Sequence, residues 1–238
     1  MARLGRYFVE GQALHVIQRG NDRKPVFFAE EDYARYREWL IAASQDCGLL
    51  VHAHVLMTNH VHLLVTPKAP TSLARTMQAL GRRYVRHINA LYRRTGTLWE
   101  GRYRAAPIDS EEYFIACCRY IELNPVRARM VDHPRHYRWS SYRAHAEGCE
   151  DALAAFHGAL RRLGRSIEER HESYRALMKE RLDPGFVDAL RAATNGGWAL
   201  GGERFRKELE AAASRRTAPL PPGPKPASRE DSPQMRLL

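Results

Sequence analysis

No apolar run in the 238 residues approaches the ~18 that a membrane-spanning helix requires. No apolar segment follows the Met-Ala-Arg start, so no signal peptide is read there. Cysteine is scarce. Cys47, Cys117, Cys118 and Cys149 form no C-x-x-C pair, and the adjacent 117–118 pair is a poor disulfide framework. These shortages lead away from a membrane-embedded or disulfide-stapled secreted protein and toward reduced thiols in the cytoplasm. Acid is also in short supply, with 27 Asp and Glu against 38 Lys and Arg, a net charge of +11. A polyanionic partner is the first expectation, and nucleic acid is the commonest. No internal repeat is present. With 44% hydrophobic residues, the chain can bury one sizeable core and still carry a smaller appendage.

The acid shortage is sharpest over residues 72–94, which hold no Asp or Glu at all. Leu73, Met77, Leu80, Tyr84, Ile88 and Leu91 recur there at helical spacing, with Ser72 as a candidate cap. The other faces carry Arg75, Arg82, Arg83, Arg86, Arg93 and Arg94. A solvated helix face normally mixes both signs, so six unopposed arginines suggest contact with a phosphate backbone.

The surrounding pattern alternates strands and helices. Residues 7–19 read as an extended segment ending in a strand, and Gly20-Asn21-Asp22 as a turn. Arg19 and Arg23 flank that turn. Its amides suit a phosphate, and an ordinary solvated turn fits equally well. Residues 30–47 are a helix, with Gly48 in the C-terminal capping position. Residues 49–57 and 60–66 read as an antiparallel hairpin across Thr58-Asn59. A fourth strand is read over 98–108, where Trp99 and Tyr103 alternate with Arg102 and Arg104. That mixture suits base stacking with phosphate neutralisation, and core packing of either aromatic is the plainer alternative. A third helix spans 110–123, with Ser110 as cap and Glu111 and Glu112 in its first turn, and Asn124-Pro125 ends it. Ser140 or Ser141 is a candidate cap for a last small helix.

The order β-α-β-β-α-β followed by a helix is that of an α+β, ferredoxin-like antiparallel sheet with helices on one face and an open face available to a ligand. The organised domain is drawn at 1–148. Residues 149–216 read as a small helical appendage, broken at Asp183-Pro184-Gly185 and Thr194-Asn195-Gly196-Gly197, with Arg161, Arg162 and Arg165 as possible DNA contacts. Residues 217–238 are Pro-rich and expected to be disordered.

Within the hairpin, His60 and His62 fall on one strand face, with Val61, Leu63 and Val65 on the other. Two neutral imidazoles on a rigid strand suit a divalent metal, but the same spacing also occurs on solvated faces. His52 and His54 repeat the spacing on the preceding strand, and periodicity does not choose between the pairs. Tyr120 and Asn124 stand at i, i+4 and share a helix face, as core residues of an amphipathic helix also would. Tyr113 is the competing tyrosine.

Four segments in order, His15-Val-Ile-Gln-Arg19-Gly20-Asn21, Met57-Thr-Asn-His60-Val-His62, Trp99-Glu-Gly-Arg102-Tyr103 and Tyr120-Ile-Glu-Leu-Asn124-Pro125-Val-Arg127-Ala, resemble the single-tyrosine HUH transposases. The resemblance is to the REP-associated tyrosine transposases in particular and covers about residues 7–145. It implies a metal-dependent enzyme that nicks and rejoins single-stranded DNA near hairpins through a 5′-phosphotyrosine. It assigns Tyr120 as nucleophile and His60, His62 and Asn124 as ligands of Mg²⁺ or Mn²⁺, which decides between the histidine pairs. Arg19, Asn21, Arg82, Arg83, Arg86, Arg102 and Arg104 are the candidate DNA contacts. The protein would act as a monomer or homodimer. Thr58 stands where the family often has Pro, and His54 where an aromatic is common. The alternative is a DNA-binding protein of the same fold, a repressor or architectural protein, that cuts nothing.

Overall fold

The computed structural model describes residues 8–109 and 111–219. In chain order the elements are β1 (Leu14–Arg19), α1 (Glu30–Cys47), β2 (Leu49–Met57), β3 (His60–Pro67), α2 (Ser72–Leu91), β4 (Arg104–Pro107) and α3 (Glu111–Glu122). There follow α4 (Asn124–Arg127), α5 (Tyr142–Glu147), α6 (Gly158–Arg161), α7 (Ile167–Lys179), α8 (Pro184–Gly196) and α9 (Glu203–Ala213). The sheet order is β2-β3-β1-β4, antiparallel throughout. The ferredoxin-like order expected from the sequence is therefore present. No helix among the described residues is long and apolar enough to cross a membrane.

Local chemistry explains the elements. Asp32 Oδ2 accepts the amides of Phe28 and Ala29 at 2.8 and 3.0 Å, which holds the entry to α1. Gly48 closes that helix with φ +67°, a conformation that favours glycine. The apolar stripe of α2 buries Leu73, Met77, Leu80, Tyr84 and Ile88, each contributing roughly 1.5–3 kcal/mol of transfer free energy. Ser72 is the first residue of α2 rather than its cap, and its hydroxyl accepts from Ala69 N–H at 3.1 Å. Leu91, expected in the stripe, is 56% exposed. Ser110, the expected cap of α3, lies outside the described residues.

Several expectations change. The strand read over 98–108 is confined to Arg104–Pro107. Trp99 and Tyr103 are buried in the core, Trp99 against Tyr36 and Tyr84, so neither offers a stacking face. The turn after β1 has little to offer a phosphate. The amides of Gly20, Asn21, Arg23 and Lys24 donate to Asn59, Leu98, Gly20 and Asn21 carbonyls. Along β2 a register shift between Val51 and Ala53 breaks the alternation. His52 therefore faces α3, with Nε2 2.9 Å from Thr66 Oγ1 and its ring against Phe114. His54 turns the other way, toward Asp151, which is paired with Arg37 of α1. The two do not form a pair at all.

The second sheet face is not open. Helix α3 packs across β2 and β3, and α8 lies beside β4 and β1. Leu200 extends the β4 edge through a parallel bridge to Ile108. The breaks read at Asp183 and Gly197 do separate α7, α8 and α9, the two residues capping α8, although Thr194 and Asn195 are still helical. Arg162 is exposed but paired with Glu111 of α3. Thr217 is buried and accepts from Ala199 N–H at 3.0 Å, while residues 220–238 lie outside the described part.

Candidate active site

Strand β3 brings His60 and His62 onto the face covered by α3, while Val61, Leu63 and Val65 have no exposed surface on the other. The two imidazoles meet edge to face with centroids 4.9 Å apart. Tyr120, near the end of α3, places its ring 5.6 Å from His62 and 5.8 Å from His15. The Tyr120 hydroxyl hydrogen-bonds to no described residue. Tyr113, the other tyrosine of α3, turns away to Phe186 at 6.1 Å.

Asn124 begins the turn after α3, and its Nδ2 donates to Tyr120 O at 2.8 Å, which directs Oδ1 away from the helix. Burial, then Arg19, lowers the His60 pKa to about 4. Burial, then His15, His60, Arg19 and Arg127, holds His62 well below its usual value. Both rings are thus neutral near pH 7, the form that binds metal. His60 Nδ1 is engaged by Asn59 Oδ1 at 2.6 Å and His62 Nδ1 by His15 Nε2 at 2.9 Å, so each keeps Nε2 uncommitted.

By donor chemistry, the His60 and His62 imidazoles and the Asn124 amide oxygen would suit a divalent cation. Two imidazoles suit Mn²⁺ better than Mg²⁺, which prefers oxygen ligands. Among the described residues no group of three or more His, Cys, Asp or Glu side chains could hold a metal. Any cation here would therefore depend on the Asn124 amide and on ligands from outside the described residues.

Beside the histidines is a cleft of about 160 Å³ lined by Arg19, Arg102, Arg104, Glu100 and Asn195. It unites three of the arginines singled out in the sequence. Arg104 Nη1 donates to Asn195 Oδ1 at 2.9 Å, tying the cleft to α8. Asn21 is exposed on the turn after β1. Arg82, Arg83 and Arg86 are elsewhere. They are exposed on α2, in the helical layer across the sheet from His62 and Tyr120, and Arg83 sits 4.3 Å above the Trp39 ring.

Three side chains at the site were not singled out from the sequence. His15 touches both His62 and Tyr120. Strand parity was a signal for it, since 15, 17 and 19 share a face. Arg127 lies 4.7 Å over the Tyr120 ring. Thr194 reaches His15 across 179 positions, and no sequence signal marks it.

Residues 8–124 match the sequence family described as IS200-like transposase. The chain is also similar to the structure of a REP-associated tyrosine transposase bound to a REP hairpin. Identity is 19%, coverage is 66% of this chain and 93% of that one, and the TM-score of 0.53 shows a shared fold. A candidate transposase from Deinococcus radiodurans R1 aligns at 21% identity over 57% of this chain and 98% of its own. Its TM-score of 0.36 is too low to argue from. No curated protein matches the sequence.

Proposed function

We propose that this chain, whose residues 8–124 match the IS200-like transposases, a family of DNA-transposing enzymes, nicks and rejoins single-stranded hairpin DNA through Tyr120. His60, His62 and Asn124 would hold the divalent metal, with Mn²⁺ favoured by the imidazole donors. The observation that carries this reading is the edge-on contact of Tyr120 with His62 at 5.6 Å, which brings the tyrosine ring against the candidate metal-binding histidines. The hairpin partner is inferred from the solved relative, which is bound to one. The catalytic unit is drawn at 1–148, with 149–216 as helices docked on it.

The chemistry balances without an outside energy source. Tyr120 Oη attacks the scissile phosphorus, and the Oη–P bond forms as the P–O3′ bond breaks. The tyrosyl proton goes to solvent and the 3′ oxygen takes one up. The strand bearing the 5′ phosphate stays on the protein as a phosphotyrosine ester. In rejoining, a 3′-hydroxyl attacks that phosphorus, the P–Oη bond breaks and Tyr120 recovers a proton.

A bound divalent cation supplies polarisation of the phosphate and charge neutralisation. Arg127 adds positive charge over the Tyr120 ring, where negative charge develops at the phosphate. Arg19, Arg102 and Arg104 bind flanking phosphates in their cleft, and the exposed Asn21 contacts a base or sugar.

The test is a labelled hairpin oligonucleotide incubated with Mn²⁺ or Mg²⁺ and run on a denaturing gel. A metal-dependent covalent adduct that disappears in Tyr120→Phe is expected. Cleavage that survives Tyr120→Phe would mean hydrolysis by water, and binding without cleavage would mean a DNA-binding module.

A further inference from the structure

We propose that Thr194, on α8 and outside the family-matched region, is a positioning residue that sets which nitrogen of His62 is free to take the metal. The inference rests on the reading of His60 and His62 as metal ligands.

A buried chain of hydrogen bonds runs from α8 to β3. Thr194 Oγ1 donates to Leu190 O at 2.8 Å, the backbone carbonyl one turn earlier. His15 Nδ1 lies 2.7 Å from the same Oγ1, and His15 Nε2 lies 2.9 Å from His62 Nδ1. The two imidazole planes differ by only 9° with centroids 5.0 Å apart, the arrangement of rings joined edge to edge through that bond. Thr194, His15 and His62 are 2, 1 and 3% exposed, which leaves little room for water to substitute as a partner.

Counting protons fixes the direction of the chain. A hydroxyl has one proton, and that of Thr194 is committed to Leu190 O. Its oxygen must then accept from His15, so His15 carries its proton on Nδ1. A neutral imidazole has one N–H, so His15 Nε2 accepts, and His62 must donate from Nδ1. The lone pair of His62 is thereby placed on Nε2. Metal-bound histidines commonly have their orientation and tautomer fixed by such a partner on the other nitrogen. His60 reaches the same state locally. Asn59 Nδ2 donates to Arg23 O at 2.8 Å, so Asn59 Oδ1 faces and accepts from His60 Nδ1. Both relays end on a backbone carbonyl, but only that of His62 depends on the C-terminal helices.

The experiment compares wild type with Thr194→Val and Thr194→Ser in the full chain. Val matches Thr in shape and lacks the hydroxyl, whereas Ser restores it. Long-range ¹H–¹⁵N NMR on the metal-free proteins reads the His62 tautomer. Mn²⁺ titration by electron paramagnetic resonance, without DNA, reads affinity. Wild type and Thr194→Ser are expected to show His62 protonated at Nδ1. Thr194→Val is expected to remain folded, lose that tautomer and bind Mn²⁺ about 10–100-fold more weakly. A wild-type His62 with its proton on Nε2 overturns the inference whether or not the variants fold. So does Thr194→Val binding Mn²⁺ as wild type does. A wild type that binds no Mn²⁺ overturns the metal-site reading itself, and the inference with it.

Discussion

The carboxylate of Glu122 accepts a hydrogen bond from the Tyr174 hydroxyl at 2.7 Å, joining the helix that carries Tyr120 to α7, 52 positions away. Glu122 has no exposed surface, and its other oxygen accepts from Ser141 at 2.6 Å and His145 Nδ1 at 2.7 Å. Three segments, α3, α7 and α5 with its cap Ser141, thus meet on one buried carboxylate, two residues from the candidate nucleophile. Removing one donor leaves the charge under-solvated where water does not reach. Tyr174→Phe is therefore expected to lower unfolding stability by about 1.5–3 kcal/mol, measured by urea denaturation. An unchanged midpoint would show that the α7 contact holds nothing in place.

The buried histidines make stability depend on pH with a definite sign. Burial lowers the pKa of His52 to about 4 and that of His54 to about 4, the latter against an opposing pull from Asp151. In the unfolded chain both take a proton near 6.5. Between about pH 6.5 and 4 the unfolded state therefore binds more protons, and stability falls as pH falls through that window. Above pH 6.5 the effect is absent. His52→Gln is expected to flatten the slope of melting temperature against pH. A slope identical to wild type would mean that His52 does not titrate as its burial requires.

Gly20 is required by close approach rather than by its backbone angle. A Cβ there would lie 2.3 Å from Lys24 O and 2.7 Å from Val26 Cγ1. The first of these is backbone, so segment 20–26 would have to move. Gly20→Ala is expected to cost about 1–3 kcal/mol, seen as a lower melting temperature. It should also weaken hairpin binding, because Arg19 is the preceding residue. Full stability in this variant would show that the segment yields easily.

The two arginine groups are expected to separate in a salt titration of hairpin binding. Arg19, Arg102 and Arg104 line one cleft beside the histidines, whereas Arg82, Arg83 and Arg86 lie across the sheet. Replacing the first group with Ala should abolish adduct formation and reduce both affinity and the salt slope. The slope should fall by about 0.7 for each single-strand phosphate that is no longer neutralised. Replacing the second group should leave adduct formation intact. An adduct missing only in the α2 variant would move the DNA path to the other face.

Much of the scaffold was legible in the sequence because its signals are local. Alternation along β3 puts His60 and His62 together, helical spacing puts Tyr120 one turn before Asn124, and Gly48 ends α1. Where the local pattern failed, a longer-range effect had intervened. A bulge at Val51/Ala53 divides His52 from His54, and aromatic packing draws Trp99 out of a strand and into the core.

The sequence by itself determined the order of strands and helices, and with it the faces on which the histidines and the tyrosine stand. Only the tertiary structure decided what those side chains touch. The contact of Tyr120 with His62, the gathering of Arg19, Arg102 and Arg104 beside Asn195, and the reach of Thr194 to His15 all join distant segments. Hydrogen bonds and ring contacts act over a few ångströms of space, and distance along the chain carries no trace of them.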